Sequence, residues 1–148
     1  MDIPNTQYVA PARAAAMRHG LPPELVCAVC EQESAWCPFA IRYEPAFFSK
    51  YVAPLFTNNE ITATEAYARG ISWGLMQVMG QVAREFGFAR IFLSELCDPA
   101  TGLDIGSKIL AHKVSVAQGN LRDALLAWNG GGNPDYPAQV LARMSKYT

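Results

Sequence analysis

Hydrophobic positions along this chain recur at helical spacings, and proline or glycine stands at most breaks in the pattern. Pro11 can open a first helix through Ala14, Ala15 and Met17, stopped by Gly20. Pro22 and Pro23 open a second, which carries the run Leu25-Val26-Cys27-Ala28-Val29-Cys30 and then Glu33. Cys27, Cys30 and Glu33 fall on one stripe at three-residue spacing. The run has no polar face, so as a helix it must be central and buried. Pro38 ends that region, and an amphipathic segment around Phe47, Phe48, Tyr51 and Val52 follows, closed by Pro54.

Thr62-Ala63-Thr64-Glu65 fits a capping box, with Gly70 as the matching stop. Ser72 or Trp73 is expected to begin a helix through Val82 and Phe86, ended by Gly87. Asp98-Pro99 caps a long helix running to about Gly119. Asn120 with Asp123 starts another through Leu125 and Leu126, broken at Gly130-Gly131-Gly132. Asp135 or Tyr136 with Pro137 starts the last, through Val140 and Leu141. No alternation is long enough for a clear strand, although a short hairpin near Arg69 to Trp73 is conceivable. The expected fold is mainly α: one domain over residues 1–148, helices bundled around a buried central helix, with at most a small β-hairpin.

Composition narrows the function classes. The chain has 148 residues, enough for one core; half are hydrophobic and 17% charged, which excludes disorder. A formal charge of -1, with no cluster of Lys or Arg, gives no footprint for nucleic acid. No stretch reaches membrane-spanning length, so no membrane insertion is expected. Met1-Asp2-Ile3-Pro4-Asn5 lacks the charged start and apolar core of a signal peptide.

The four cysteines are Cys27, Cys30, Cys37 and Cys97. The Cys27-x-x-Cys30 spacing invites a zinc or redox reading. A zinc site wants a second close ligand pair, and His19 and His112 are remote. A redox pair gains its low pKa at a helix start, whereas this pair lies inside an apolar helix. Buried thiols and no metal are therefore expected; a disulfide such as Cys37 to Cys97 stays open.

Glu33 is the residue most suggestive of chemistry. On the last turn of a buried helix, desolvation disfavours its charged form and the negative end of the helix dipole adds to this. Both effects raise its pKa, as suits a general acid near neutral pH. Three segments stand out with it: Glu31-Gln32-Glu33-Ser34-Ala35-Trp36, Ser72-Trp73-Gly74-Leu75-Met76-Gln77-Val78-Met79, and Ala127-Trp128-Asn129-Gly130-Gly131 with Tyr136 shortly after.

In this order and spacing, from about Leu21 to Val140, the segments resemble the lytic transglycosylases of the soluble Slt type, relatives of goose-type lysozyme. The resemblance implies a lysozyme-like fold and cleavage of the β-1,4 bond between N-acetylmuramic acid and N-acetylglucosamine in peptidoglycan. Glu33 matches the single catalytic acid. Ser34 matches a serine acting near the substrate acetamido group, and Met76 and Gln77 match groove-lining residues. Gly74 would let the sugar approach the backbone. Trp128 and Asn129 fall on a Tyr-Asn pair, and Tyr136 on the tyrosine that hydrogen-bonds the catalytic carboxyl. The family needs no cofactor and no metal, and a monomer acting on glycan strands is expected.

Flat faces for sugar rings are offered by Trp36, Tyr43, Trp73 and Trp128, of which Trp73 and Trp128 adjoin the matched segments. Two departures from the family matter. Trp128 replaces a tyrosine and so removes a hydroxyl from the groove. The segment from Arg42 to Phe48, with the long stretch before Ser72, looks like a variant of phage and prophage cell-wall enzymes. Glu44 within it is either a surface ion-pair partner of Arg42 or Lys50, or a second carboxylate activating water, as a muramidase requires. Action on the bacterial wall without a leader points to phage delivery, as for an endolysin, unless the chain is exported otherwise or is shortened. A non-catalytic glycan-binding module of a phage or secretion machine is the reading from another class.

Overall fold

The computed structural model describes residues 6–148, so the leader reading of Met1 to Asn5 lies outside the described residues. A turn of 3-10 helix, Thr6–Tyr8, leads into α1 (Val9–Arg18), and α2 (Pro23–Ser34) follows. Every residue from Leu25 to Cys30 in α2 is fully buried, as the unbroken apolar run requires. Large side chains so buried contribute about 1.5–3 kcal/mol each. α2 packs on α1 and on α9 (Tyr136–Met144), the last α-helix.

α2 ends abruptly. Ala35 and Trp36 both adopt left-handed backbone, with φ of 49° and 64°. For residues bearing a Cβ this costs about 1–2 kcal/mol apiece. Burial of the whole Trp36 side chain offsets it, and the Trp36 indole donates to Tyr147 Oη at 3.0 Å. The turn thus fixes where Glu33 and Ser34 stand.

The expected helix from Ser72 or Trp73 is replaced over its first half by sheet. β1 (Ile41–Tyr43), β2 (Ile71–Trp73) and β3 (Val78–Met79) form an antiparallel sheet in that order, with Ile41 opposite Trp73 and Trp73 opposite Val78. The helical period fails because Gly74 and Gln77 are left-handed, with φ of 75° and 51°, so the four residues between β2 and β3 make a tight turn. Gly74 N–H donates to Ala40 O instead of to a helical carbonyl. α6 (Gly80–Glu85) starts only after β3. Three strands stand where at most a hairpin was expected; β1 escaped notice because all three of its residues are exposed.

Between β1 and β2 the chain runs through α3 (Pro45–Phe47), a π-helical turn (Phe48–Val52), α4 (Ala53–Thr57) and α5 (Ala63–Arg69). Pro54 does not close this segment. It lies in the first turn of α4, where its missing N–H is tolerated. Only half of the capping box forms: Thr62 Oγ1 accepts from Glu65 N–H at 3.2 Å. The Glu65 carboxylate instead accepts from Arg69 Nε at 2.8 Å and Arg84 Nε at 2.7 Å, tying α5 to α6.

A 3-10 turn, Leu93–Cys97, precedes α7 (Pro99–Val116), which Asp98 caps by accepting from Thr101 N–H. α8 (Leu121–Trp128) is capped by Asn120, which accepts from Asp123 N–H. α7 packs on α1 and α8, completing a mainly helical core around α2. All four cysteines are free; Cys27 and Cys30 are buried, and burial pushes the Cys27 thiol up to about 11. No described helix is long and apolar enough to cross a membrane.

Candidate active site

A groove of about 760 Å³ is lined by Glu33 at the end of α2, by Glu44 and Phe47 after β1, and by Trp128 and Asn129 at the end of α8. Glu33 is mostly buried. Its Oε1 accepts two hydrogen bonds, from Tyr136 Oη at 2.6 Å and from Trp128 Nε1 at 3.2 Å. Among the described residues, Oε2 has no hydrogen-bond partner. A carboxyl whose Oε1 is occupied by two donors carries its proton on Oε2.

Burial raises the Glu33 pKa above the ordinary carboxylate range and outweighs the opposing donors Tyr136 and Trp128. The charges of Arg42 and Glu44 also reach it, with opposite signs. The Tyr136 hydroxyl is held far above its usual range, first by burial and then by Glu33, so it stays a donor. An acid primed to donate, held by a hydroxyl that does not ionise, is what this corner offers chemically.

The pair is aligned by a polar seam between α2 and the C-terminal elements. Arg143 Nε donates to Gln32 Oε1 at 2.8 Å, and Gln32 Nε2 to Gln139 Oε1 at 3.1 Å. Glu31 accepts from Arg143, from Lys146 Nζ at 3.1 Å and from Tyr147 Oη at 2.9 Å. Burial opposes ionisation of Glu31, but these donors outweigh it and hold its pKa below the usual range. Gln32 and Glu31 precede Glu33 in sequence, while Gln139 and Arg143 share α9 with Tyr136, so the seam sets the distance between acid and hydroxyl.

The residues selected from sequence divide into two groups. Glu33, Glu44, Gln77, Trp128 and Asn129 line the groove together. Gln77 is locked there at both ends of its amide: Nε2 donates to Ala40 O at 2.8 Å and Gly74 O at 3.0 Å, and Oε1 accepts from Ser72 Oγ at 2.8 Å. In place of the missing tyrosine hydroxyl, the Trp128 indole N–H donates to Glu33 Oε1. Glu44 lines the groove and also faces Arg42 Nη1 at 3.9 Å, the ion-pair partner expected of a surface carboxylate.

Ser34, Trp73, Gly74, Met76 and Tyr136 are not among the groove-lining residues. Trp73 is 9% exposed and its indole donates to Ala68 O, so it is a sheet anchor rather than a sugar platform. Met76 is wholly buried, and a Cβ at Gly106 would come within 2.5 Å of its sulfur. Gly74 is needed for protein packing, since a Cβ there would meet Leu96 O at 2.5 Å. Ser34 Oγ lies 2.8 Å from Leu75 O, joining α2 to the β2–β3 turn. Tyr136 is 4% exposed and touches the groove wall through its hydrogen bond to Glu33.

Lys113 and Asn133 line the groove and were not selected from sequence. Lys113 lies on α7, between the second and third of the matched segments, and nothing local marks it. Asn133 follows the glycine run that reads simply as a helix stop. Among the described residues no group of three or more His, Cys, Asp or Glu could hold a metal ion.

A family model described as the transglycosylase SLT domain matches residues 10–143. No curated protein and no solved structure matches the chain.

Proposed function

This chain belongs to the transglycosylase SLT-domain family, which acts on peptidoglycan, and we propose that Glu33 is its catalytic acid and base. The observation that carries this reading is the pair of donors on Glu33 Oε1, which leaves Oε2 to hold the proton in a groove. Glu33 Oε2 protonates the glycosidic oxygen as the bond from C1 of N-acetylmuramic acid breaks. The carboxylate so formed then takes the proton of the muramic C6 hydroxyl, whose oxygen bonds to C1. The products are a free N-acetylglucosamine 4-hydroxyl and a 1,6-anhydromuramic end, with no water consumed. The substrate's own acetamido carbonyl can stabilise the cationic C1, so one enzymic carboxyl suffices where most glycosidases use two.

Trp128 and Asn129 are assigned to substrate binding on the groove wall. Gln77, with its amide already engaged, shapes the groove floor. Ser34 and Tyr136 position Glu33. On this reading the enzyme works on the bacterial cell wall.

A second reading is favoured by one observation: Glu44 lines the same groove and its charge is felt at Glu33. A carboxylate there would activate water and yield a reducing end, the muramidase outcome. Digestion of purified peptidoglycan followed by mass analysis of the muropeptides separates the two. Anhydro ends, one water lighter than reducing ends, are expected; reducing ends alone would establish hydrolysis, and no cleavage at all would favour a glycan-binding module.

A further inference from the structure

The segment from Pro45 to Thr57 carries four aromatic rings, and its geometry sorts three of them onto two faces. The π-helical turn at Phe48–Val52 is wider than an α-turn, a device frequent at functional sites. Phe48 packs on the protein: its ring stacks on Tyr67 at 5.2 Å and 6° and lies 5.7 Å from Tyr43. A Cβ at Gly70 would come within 2.9 Å of the same ring, so Phe48 sits directly on that glycine. Phe47 and Tyr51, four residues apart, meet each other instead, with centroids 4.9 Å apart. Both line the groove that contains Glu33, and Tyr51 is 50% exposed.

An aromatic pair left open in a groove is costly in water unless something apolar covers it. A pyranose ring presents a flat C–H face with hydroxyls around its edge. It therefore covers the rings and keeps its polar groups wet. Lys50 also lines the groove and holds its ammonium 5.1 Å from the Tyr51 centroid, where it can donate to such a hydroxyl. The groove is continuous from these rings to Glu33, so the occupant is the same polymer whose bond lies at Glu33.

We propose that Phe47 and Tyr51 form a stacking platform for a sugar ring of the glycan strand beyond the two residues that flank the scissile bond. The proposal rests on the reading of this groove as a peptidoglycan site. Phe48, braced against Gly70, Tyr43 and Tyr67, holds the platform in place. The consequence is a length preference: long strands gain a contact that a disaccharide does not reach.

The test is calorimetric binding of peptide-free peptidoglycan oligosaccharides to Glu33→Gln, with and without Tyr51→Ala. Tyr51→Ala should weaken hexasaccharide binding about tenfold, the worth of one ring contact, and leave disaccharide binding within about twofold. Tyr51→Trp should restore the long-strand affinity. Equal weakening at every length, or no weakening at all, would overturn the platform while leaving the catalytic reading intact. Failure of Glu33→Gln to bind any length would overturn both. Because Tyr51 is half-exposed, an unchanged melting temperature is expected and checks that the variant is folded.

Discussion

Tyr136 Oη donates to Glu33 Oε1 at 2.6 Å, so a hydroxyl at the start of α9 governs a carboxyl on the last turn of α2. The bond opposes the burial that raises the Glu33 pKa. Tyr136→Phe removes it and should raise that pKa further. Since the proposed mechanism needs Glu33 protonated, the alkaline limb of kcat/KM should move to higher pH. Loss of alignment should lower the maximal rate roughly tenfold to a hundredfold. An unchanged pH profile, measured by clearing of a peptidoglycan suspension, would count against the coupling.

Glu33→Gln keeps the shape and removes the proton. Lytic activity should fall by about a hundredfold or more, the usual share of a general acid. Stability should move the other way. The folded pKa of Glu33 lies above its unfolded value, so its contribution is fully present below the unfolded value and declines as pH rises through the folded one. Once Glu33 ionises in the folded state, the wild type bears the penalty of a buried charge and the glutamine variant does not. Thermal melts should therefore show Glu33→Gln more stable than wild type at about pH 8, with the difference vanishing near pH 4. A variant less stable at alkaline pH would show that burial does not dominate at this carboxyl.

The proposed acid stood out in the sequence because one helix carries both signals that point to it, an apolar run and a carboxyl at its end. Tyr136 was legible only through the family resemblance, since nothing near residue 136 points to α2. The β2–β3 turn was misread for a physical reason. Gly74-Leu75-Met76-Gln77 has helical composition, and only the left-handed backbone at Gly74 and Gln77, with the Gly74 bond to Ala40, breaks the period. Trp73 and Met76 were placed on the substrate by adjacency, yet neighbouring residues in a turn face different ways, and these two face the core. The seam from Glu31 to Tyr147 joins the second helix to the chain end, a pairing that local pattern does not carry.

That seam gives an opposite pH signature. Glu31 is held below the ordinary range by Tyr147, Arg143 and Lys146 against the pull of burial, and its side chain is 13% exposed. Its contribution is therefore present above the unfolded carboxylate value and is lost as pH falls through the folded one. Glu31→Gln should cost about 2 kcal/mol at neutral pH, in line with hydrogen bonds to a charged group. The cost should shrink as both proteins are taken to about pH 3, below the unfolded value. Chemical denaturation at the two pH values measures it; a pH-independent difference would mean that packing, not charge, holds the seam.

Gly102 tests whether close packing beside the turn outweighs helix propensity. It lies in α7, where replacement by alanine ordinarily stabilises by about 1 kcal/mol. Here a Cβ would stand 2.4 Å from Leu96 O, and a Cβ on Gly74 would stand 2.5 Å from the same oxygen. The Leu96 carbonyl is thus wedged between α7 and the turn that carries Gln77 into the groove, and a backbone oxygen cannot rotate aside as a side chain can. Overpacking of this kind costs about 1–3 kcal/mol, enough to reverse the propensity gain. Gly102→Ala should lower the melting temperature by roughly 2–6 °C. Gly132→Ala, where a Cβ would meet nothing within 4 Å, should leave it nearly unchanged. If Gly102→Ala instead melts at or above the wild-type temperature, propensity wins and the wedge is not what fixes the turn.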